Sequence, residues 1–246
     1  MLMPRQTPIA GFRGPIGSIR DFYAFEQHVK TCRAHRGLEM LPQWYQVPAF
    51  YFSNPVAIIG DGDPVWAPQG SSALDYELEL ACVVGRTASN LPADDAALEC
   101  VAGFTIMNDW SARDLQRAEM AIGLGPSKSK DFATSLGPRL VPFEELRERY
   151  SNGRLHLAMT ATVNGKRYSH GDGGAMYWTW PQLLAHASRD TELQPGDVIG
   201  SGTVGTGCIL ELTPEAVGGW LKPGDVVELE IERLGVLRNP VVERPR

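Results

Sequence analysis

The sequence predicts a β-rich α+β domain, and three observations carry that reading. Apolar, β-prone runs recur at residues 56–59, 74–85, 104–107 and 155–163. Turn signals feed further strands: Asn164-Gly165 reads as a hairpin, and Pro-Gly-Asp-Val occurs at 195–198 and again at 223–226. Helical patterning is confined to short stretches, and no linker-like segment divides the 246 residues.

The elements follow in order. Residues 1–17 are rich in Pro and Gly, so 1–18 read as an N-terminal arm and 19–246 as a single domain. Ser18, with Asp21 three residues on, resembles a capping box and predicts a helix from Ser18 to about Arg36, stopped by Gly37. Pro42, Pro48, Pro55, Pro64 and Pro68 indicate loops around a short strand at 56–59. The run at 74–85 reads as one strand whose alternation puts Glu77 and Glu79 on one face and Tyr76, Leu78 and Leu80 on the other. Asp94 opens a short helix to about Val101. The strand at 104–107 ends at Asn108-Asp109, and 111–116 form a helical turn. Residues 121–138, rich in Gly, Ser and Lys, read as an ordered loop. Pro181 opens a helix to about Ser188. The Pro-Gly-Asp-Val turns introduce strands at 198–200 and 226–231, and two such turns are too little for a solenoid.

The net charge of −6 provides no basic footprint for nucleic acid, so a small molecule is the expected partner. No basic-then-apolar leader and no run of membrane-spanning length is seen, which predicts a soluble, cytoplasmic protein. Cys32, Cys82, Cys100 and Cys208 lack C-x-x-C spacing and read as free buried thiols, with disulfide pairing left open.

Two carboxylates on one face of an otherwise apolar strand repel and are costly to desolvate. A hard divalent cation would relieve that cost, and the alternative for Glu77 and Glu79 is a solvated strand face. Asp109, at a strand end, is the natural third ligand, although a turn role also suits it. Asp21 fits a fourth ligand or a helix cap. His28 lies seven residues on, on the same face of the predicted helix, and suits a general base as well as a packed histidine. Glu211, inside the apolar run 208–212, either faces solvent or needs a buried partner such as an imidazole. The Gly-rich 202–207 segment can present backbone N–H groups to an anion.

The stretch Asn108-Asp109-Trp110-Ser111-Ala112-Arg113-Asp114-Leu115-Gln116 resembles the signature of the fumarylacetoacetate hydrolase family. So do Tyr76-Glu77-Leu78-Glu79, Ser129-Lys130-Asp131-Phe132, Leu136-Gly137-Pro138, Gly202-Thr203 and the segment from Leu221 to Pro240, in family order across most of 19–242. The resemblance implies a mixed β-sandwich roll of the fumarylacetoacetase C-terminal type around a Mg2+ site (or Ca2+ or Mn2+), in a homodimer. It implies Asp21, Glu77, Glu79 and Asp109 as metal ligands, His28 as base oriented by Glu211, and Lys130 as the active-site lysine. It further implies Tyr23, Tyr51, Arg113, Gln116 and Thr203 as substrate contacts. Three features depart from the full fumarylacetoacetase: its additional N-terminal domain has no counterpart here, the loop at 52–55 differs, and Asp131 replaces a small residue. The activity implied is metal-dependent hydrolysis of a C–C bond in a 1,3-diketo acid. The alternatives are a decarboxylase, a tautomerase or isomerase with the same site, and a non-catalytic binding protein.

Overall fold

The computed structural model describes Phe12 and residues 14–245. Most of the expected arm, residues 1–11 and 13, lies outside the described residues. Eleven strands and three helices suffice to place the site. They are β1 (Ile19–Phe22), α1 (Glu26–Ala34), β2 (Phe50–Ser53), β3 (Ile58–Ile59), β4 (Leu78–Val84), β5 (Val101–Asp109), α2 (Arg113–Ile122), β6 (Thr134–Val141), β7 (Ala158–Val163), β8 (Lys166–Asp172), α3 (Trp180–Ala187), β9 (Val198–Thr203), β10 (Val226–Ile231) and β11 (Gly235–Pro240).

A seven-stranded mixed sheet runs β2-β1-β9-β4-β5-β6-β3, and a four-stranded antiparallel sheet runs β8-β7-β10-β11. The parallel pairs are β1 with β9 and β3 with β6. The β-rich α+β expectation therefore holds. Alternation sorts the main sheet into two faces. Leu78, Leu80, Cys82 and Val84 of β4 join Met159 and Ala161 of β7 and Leu229 and Ile231 of β10 in the large core between the sheets. On the opposite face Ile19, Ala81, Val83, Met107 and Val198 form a smaller apolar cluster. By the same alternation Asp21, Glu79 and Asp109 belong to this second face, one step beyond Ile19, Ala81 and Met107.

The turn chemistry reads as expected. Asn164 and Gly165 both take positive φ, 53° and 74°, as a two-residue hairpin between β7 and β8 requires. Helix α3 starts from a complete capping box, with Thr179 accepting from Gln182 N and the Gln182 side chain accepting from Thr179 N.

Several expectations are corrected. No helix begins at Ser18: residues 19–22 are β1, hydrogen-bonded between β2 and β9, and Ser18 Oγ donates to Asp197 at 2.6 Å. Pairing on both sides outweighs the local capping pattern, and the helix starts only at Glu26. The run 74–85 is broken. Leu74–Asp75 pairs with Ser111–Ala112, and the continuous strand is Leu78–Val84. The break follows from Asp75, whose carboxylate accepts from Ile209 N, Leu210 N and Arg113 Nε. Pro55–Ala57 is a 3-10 turn capped by Asn54, so only Ile58–Ile59 remains of the strand expected at 56–59, while Phe50–Ser53 forms a strand not anticipated. Of the helical turn expected at 111–116, Ser111–Ala112 is strand, and the full helix α2 begins at Arg113.

β5 passes close to the end of β6 at Gly103, where a Cβ would lie 2.6 Å from Val141 O. Backbone cannot yield as a side chain can. Gly103→Ala is expected to destabilise the protein by about 1–3 kcal/mol, read as a lower urea midpoint at unchanged slope.

Candidate active site

The cleft beside the second face of the main sheet has a volume of about 1030 Å3. Eleven of the twelve residues singled out above line it; the twelfth, Glu211, lies behind His28. Asp21 sits on β1 opposite Gly200 of β9. A Cβ at Gly200 would fall 2.4 Å from Asp21 Oδ1, so only glycine leaves room for that carboxylate. Between Gly200 and Thr203 the register of β9 against β4 shifts, which brings Thr203 opposite Glu79. Thr203 Oγ1 donates to Glu79 Oε1 at 3.2 Å. Asp109 ends β5, and its Oδ2 accepts from Tyr51 OH at 2.6 Å and Lys130 Nζ at 2.5 Å.

Glu77 is placed differently from the other three acids. Lys130 Nζ donates to its Oε2 at 2.6 Å, and Arg113 Nη2 stands 2.8 Å from its Oε1. Arg113 in turn bonds Asp75 and donates to Gln116 Oε1 at 2.9 Å, which is the i, i+3 pairing expected at the start of α2. Tyr23 packs edge-on against the His28 ring, with centroids 5.4 Å apart. Asp21 and His28 do not share a helix: a strand carries the first and α1 the second, and both meet at the cleft.

Two positioning acids went unnoticed in the sequence. Asp75 ties Arg113 to the helical turn Ile209–Leu212 that carries Glu211, and an Asp inside the apolar 74–85 run was the available signal. Glu119 of α2 accepts from Ser127 N, Ser129 N and Ser129 Oγ, which fixes the turn that presents Lys130. No sequence signal marked it.

The electrostatics divide the acids. Burial works against the charge on Glu77, but Lys130 and Arg113 more than compensate and hold it well below the usual carboxylate range. Burial, joined by mutual repulsion, pushes Asp21 and Glu79 well above that range, and burial raises Asp109 as well. Burial also raises the Tyr23 and Tyr51 phenols, which stay protonated donors.

A divalent cation suits this cluster on its own geometry. Asp21 Oδ1, Glu79 Oε2 and Asp109 Oδ1 are buried with no hydrogen-bond partner, and these three side chains offer ligand atoms within 4.8 Å of one another. An all-oxygen, anionic set is what Mg2+, Ca2+ or Mn2+ prefers.

On the other side of the cleft, His28 Nδ1 lies 2.6 Å from Glu211 Oε1, both buried, while Glu211 Oε2 accepts from Thr206 N at 3.0 Å. Burial favours the neutral imidazole, but bonds to Cys208 and Glu211 outweigh it and lift His28 to about 10.

Residues 18–242 match the family described as fumarylacetoacetate (FAA) hydrolase C-terminal. The chain belongs to the fumarylacetoacetate hydrolase family. A mitochondrial oxaloacetate tautomerase of Xenopus laevis is 34% identical over 201 residues, covering 79% of this chain and 58% of its own length. The fumarylacetoacetase of Arabidopsis thaliana is 32% identical over 247 residues, covering 80% of this chain and 58% of its own. The chain thus spans under two thirds of either relative. A fumarylpyruvate hydrolase from Pseudomonas aeruginosa, solved with Mn2+ and pyruvate, shares the fold with a TM-score of 0.76 over 99% of this chain and 97% of that one, at 23% identity. The family is enzymatic, and its named members include both hydrolases and tautomerases. Among the described residues no helix is long and apolar enough to cross a membrane, and the four cysteines are buried and free.

Raised carboxyls make stability depend on pH. The contribution of Asp21 and Glu79 is present below their ordinary range near about 4 and is lost as pH rises through their raised folded-state values. A bound divalent cation such as Mg2+ would remove the penalty. The rise in Tm on adding Mg2+ to EDTA-treated protein is therefore expected to grow as pH climbs above about 4, and Glu79→Gln should flatten that dependence. A Mg2+ effect independent of pH would contradict the assignment.

Proposed function

We propose that this chain is a metal-dependent hydrolase that cleaves a C–C bond in a 1,3-diketo acid of the fumarylacetoacetate, fumarylpyruvate or acylpyruvate type. The observation that carries the reading is the buried His28–Glu211 pair lining the same cleft as the three partnerless carboxylate oxygens. A tautomerase needs a proton relay, whereas hydrolysis needs a base that activates water, and an imidazole oriented by a carboxylate suits that task.

Asp21, Glu79 and Asp109 would hold the cation, with Glu77 beside them as a fourth acid. A bound Mg2+, Mn2+ or Ca2+ would supply Lewis-acid polarisation of the β-dicarbonyl oxygens. Glu211 holds the His28 ring by Nδ1, and in the neutral-ring fraction, which grows as pH rises toward about 10, Nε2 takes a proton from water. The hydroxide adds to the carbonyl carbon. The C–C bond then breaks, its electron pair passing into the neighbouring carbonyl as an enolate. Lys130, kept as an ammonium by Asp109 and Glu77 against the pull of burial, provides positive charge beside that oxygen. The imidazolium returns its proton to the enolate carbon, which yields two acids. Arg113, Gln116, Tyr23, Tyr51 and Thr203 position the substrate, Arg113 through its fixed bonds to Asp75 and Gln116.

The second reading is a tautomerase or isomerase of a β-dicarbonyl compound, favoured by the likeness to the Xenopus laevis oxaloacetate tautomerase. It would use the same cleft without attack by water. A cytoplasmic homodimer belongs to the proposal too. Exposed Phe52 and Val56, beside the open edge of β2, support self-association.

The test follows enol absorbance for a panel of these diketo acids with Mg2+ and with EDTA. Mg2+-dependent decay to two acids is expected, and His28→Ala should lower kcat by about 10²–10⁴-fold while Mg2+ still binds. Decay without cleavage products would favour the tautomerase. Loss of the Glu211 charge lowers the His28 pKa, so Glu211→Gln should move the ascending limb of the kcat/KM profile to lower pH and reduce its plateau. An unshifted limb would remove His28 as the base.

A further inference from the structure

We infer that His28, Cys32 and Cys208 form a second cation site, selective for a thiophilic divalent ion of the Zn2+ class and separate from the carboxylate cluster. The three side chains are buried, and each offers a ligand atom within 4.8 Å of the other two. Cys32 Sγ lies 3.8 Å from both ring nitrogens of His28. In a tetrahedral site with Zn–S of about 2.3 Å and Zn–N of about 2.0–2.1 Å, the sulfur–nitrogen edge is about 3.6 Å and the sulfur–sulfur edge about 3.8 Å. The Cys32–Nε2 separation is already near the sulfur–nitrogen edge, and its equal distance to Nδ1 means that Sγ must swing toward the Nε2 lone pair when an ion binds.

Its construction is specific. His28 and Cys32 are four residues apart, one turn of α1, and so share a face of the helix. Cys208 comes from the far end of the chain, immediately before the helical turn Ile209–Leu212. Asp75 secures that turn through Ile209 N and Leu210 N. Glu211 holds His28 by Nδ1, which leaves Nε2 as the ligand and completes the carboxylate–histidine–metal arrangement common in zinc sites. Two thiolates neutralise a divalent ion, so the complex adds no net charge to a buried place. His28 and Cys32 line the cleft, which gives an ion its route inward. The two clusters differ in ligand softness: oxygen alone for the hard cation, sulfur and imidazole for the soft one.

One consequence rests on the function proposed above. A thiophilic ion bound at Nε2 would occupy the lone pair that accepts the proton from water, and would block the Mg2+-supported reaction.

Co2+ is the probe, added to reduced protein saturated with Mg2+. One equivalent should give a sulfur-to-cobalt charge-transfer band and intense tetrahedral d–d absorption, both erased by Zn2+. Cys32→Ser and Cys208→Ser, together with the alanine forms, should lose the charge-transfer band. The Zn2+ concentration for half-inhibition, measured against each variant's own uninhibited rate, should rise at least tenfold. The weak spectrum of an oxygen-bound ion in the unmodified protein would overturn the site without recourse to any variant, as would a charge-transfer band that survives loss of both thiols. Equal Zn2+ inhibition with and without the thiols would overturn the link to the base. The spectroscopic result stands whether or not a diketo acid proves to be the substrate.

Discussion

Buried negative charge is the constraint around which this molecule is arranged. Asp21, Asp75, Glu77, Glu79 and Asp109 are all withdrawn from water on neighbouring segments. An unpaired carboxylate in such a place is expensive, so each must be matched by a cation, hydrogen-bonded, or kept protonated. Arg113 answers Asp75 and Glu77, and Lys130 answers Glu77 and Asp109. What remains, an oxygen each on Asp21, Glu79 and Asp109, has no protein partner. The charge deficit is thus concentrated where a hard cation fits, and it is left there by design of the backbone.

Two features of β9 make that concentration feasible. Gly200 leaves space for the Asp21 carboxylate, and the register shift after it turns Thr203 toward Glu79. Gly202, at φ 81°, allows the chain to pass within contact of Phe22 O, where a Cβ would clash at 2.4 Å. The same strand therefore sets the spacing of the acids and the entry of α1, which carries His28. The positions of His28 and of the Asp21–Glu79–Asp109 cluster are thus linked through one strand.

Hydrolytic C–C cleavage and tautomerisation of a β-dicarbonyl compound both pass through an enolate, and they differ in whether water is activated. Under the proposed function the distinction rests on one buried contact. Glu211 is fixed by Thr206 N on one oxygen and holds His28 with the other, which orients the imidazole beside the cleft. A ring held in this way is suited to repeated proton transfer at a single atom.

Much of this was legible in the sequence, because strand alternation and turn chemistry are local. The common face of Glu77 and Glu79 against Tyr76, Leu78 and Leu80, the Asn164-Gly165 hairpin and the Pro-Gly-Asp-Val strand starts all read directly from residue order. The signature around Asp109 carried the family. Other features depended on partners remote in the chain. Ser18 and Asp21 imitate a helix start, but residues 19–22 gain more from pairing with both 50–53 and 198–200 than from one local cap. Asp75 breaks its strand because backbone N–H groups 134 and 135 residues away require it. The clamping of Glu77, the support of Lys130 by Glu119, and the meeting of Cys32 with Cys208 arise in the same way. Composition and alternation determine which side chains must be buried; only the tertiary structure decides which partner each buried charge or thiol meets, because that partner is chosen by distance in space.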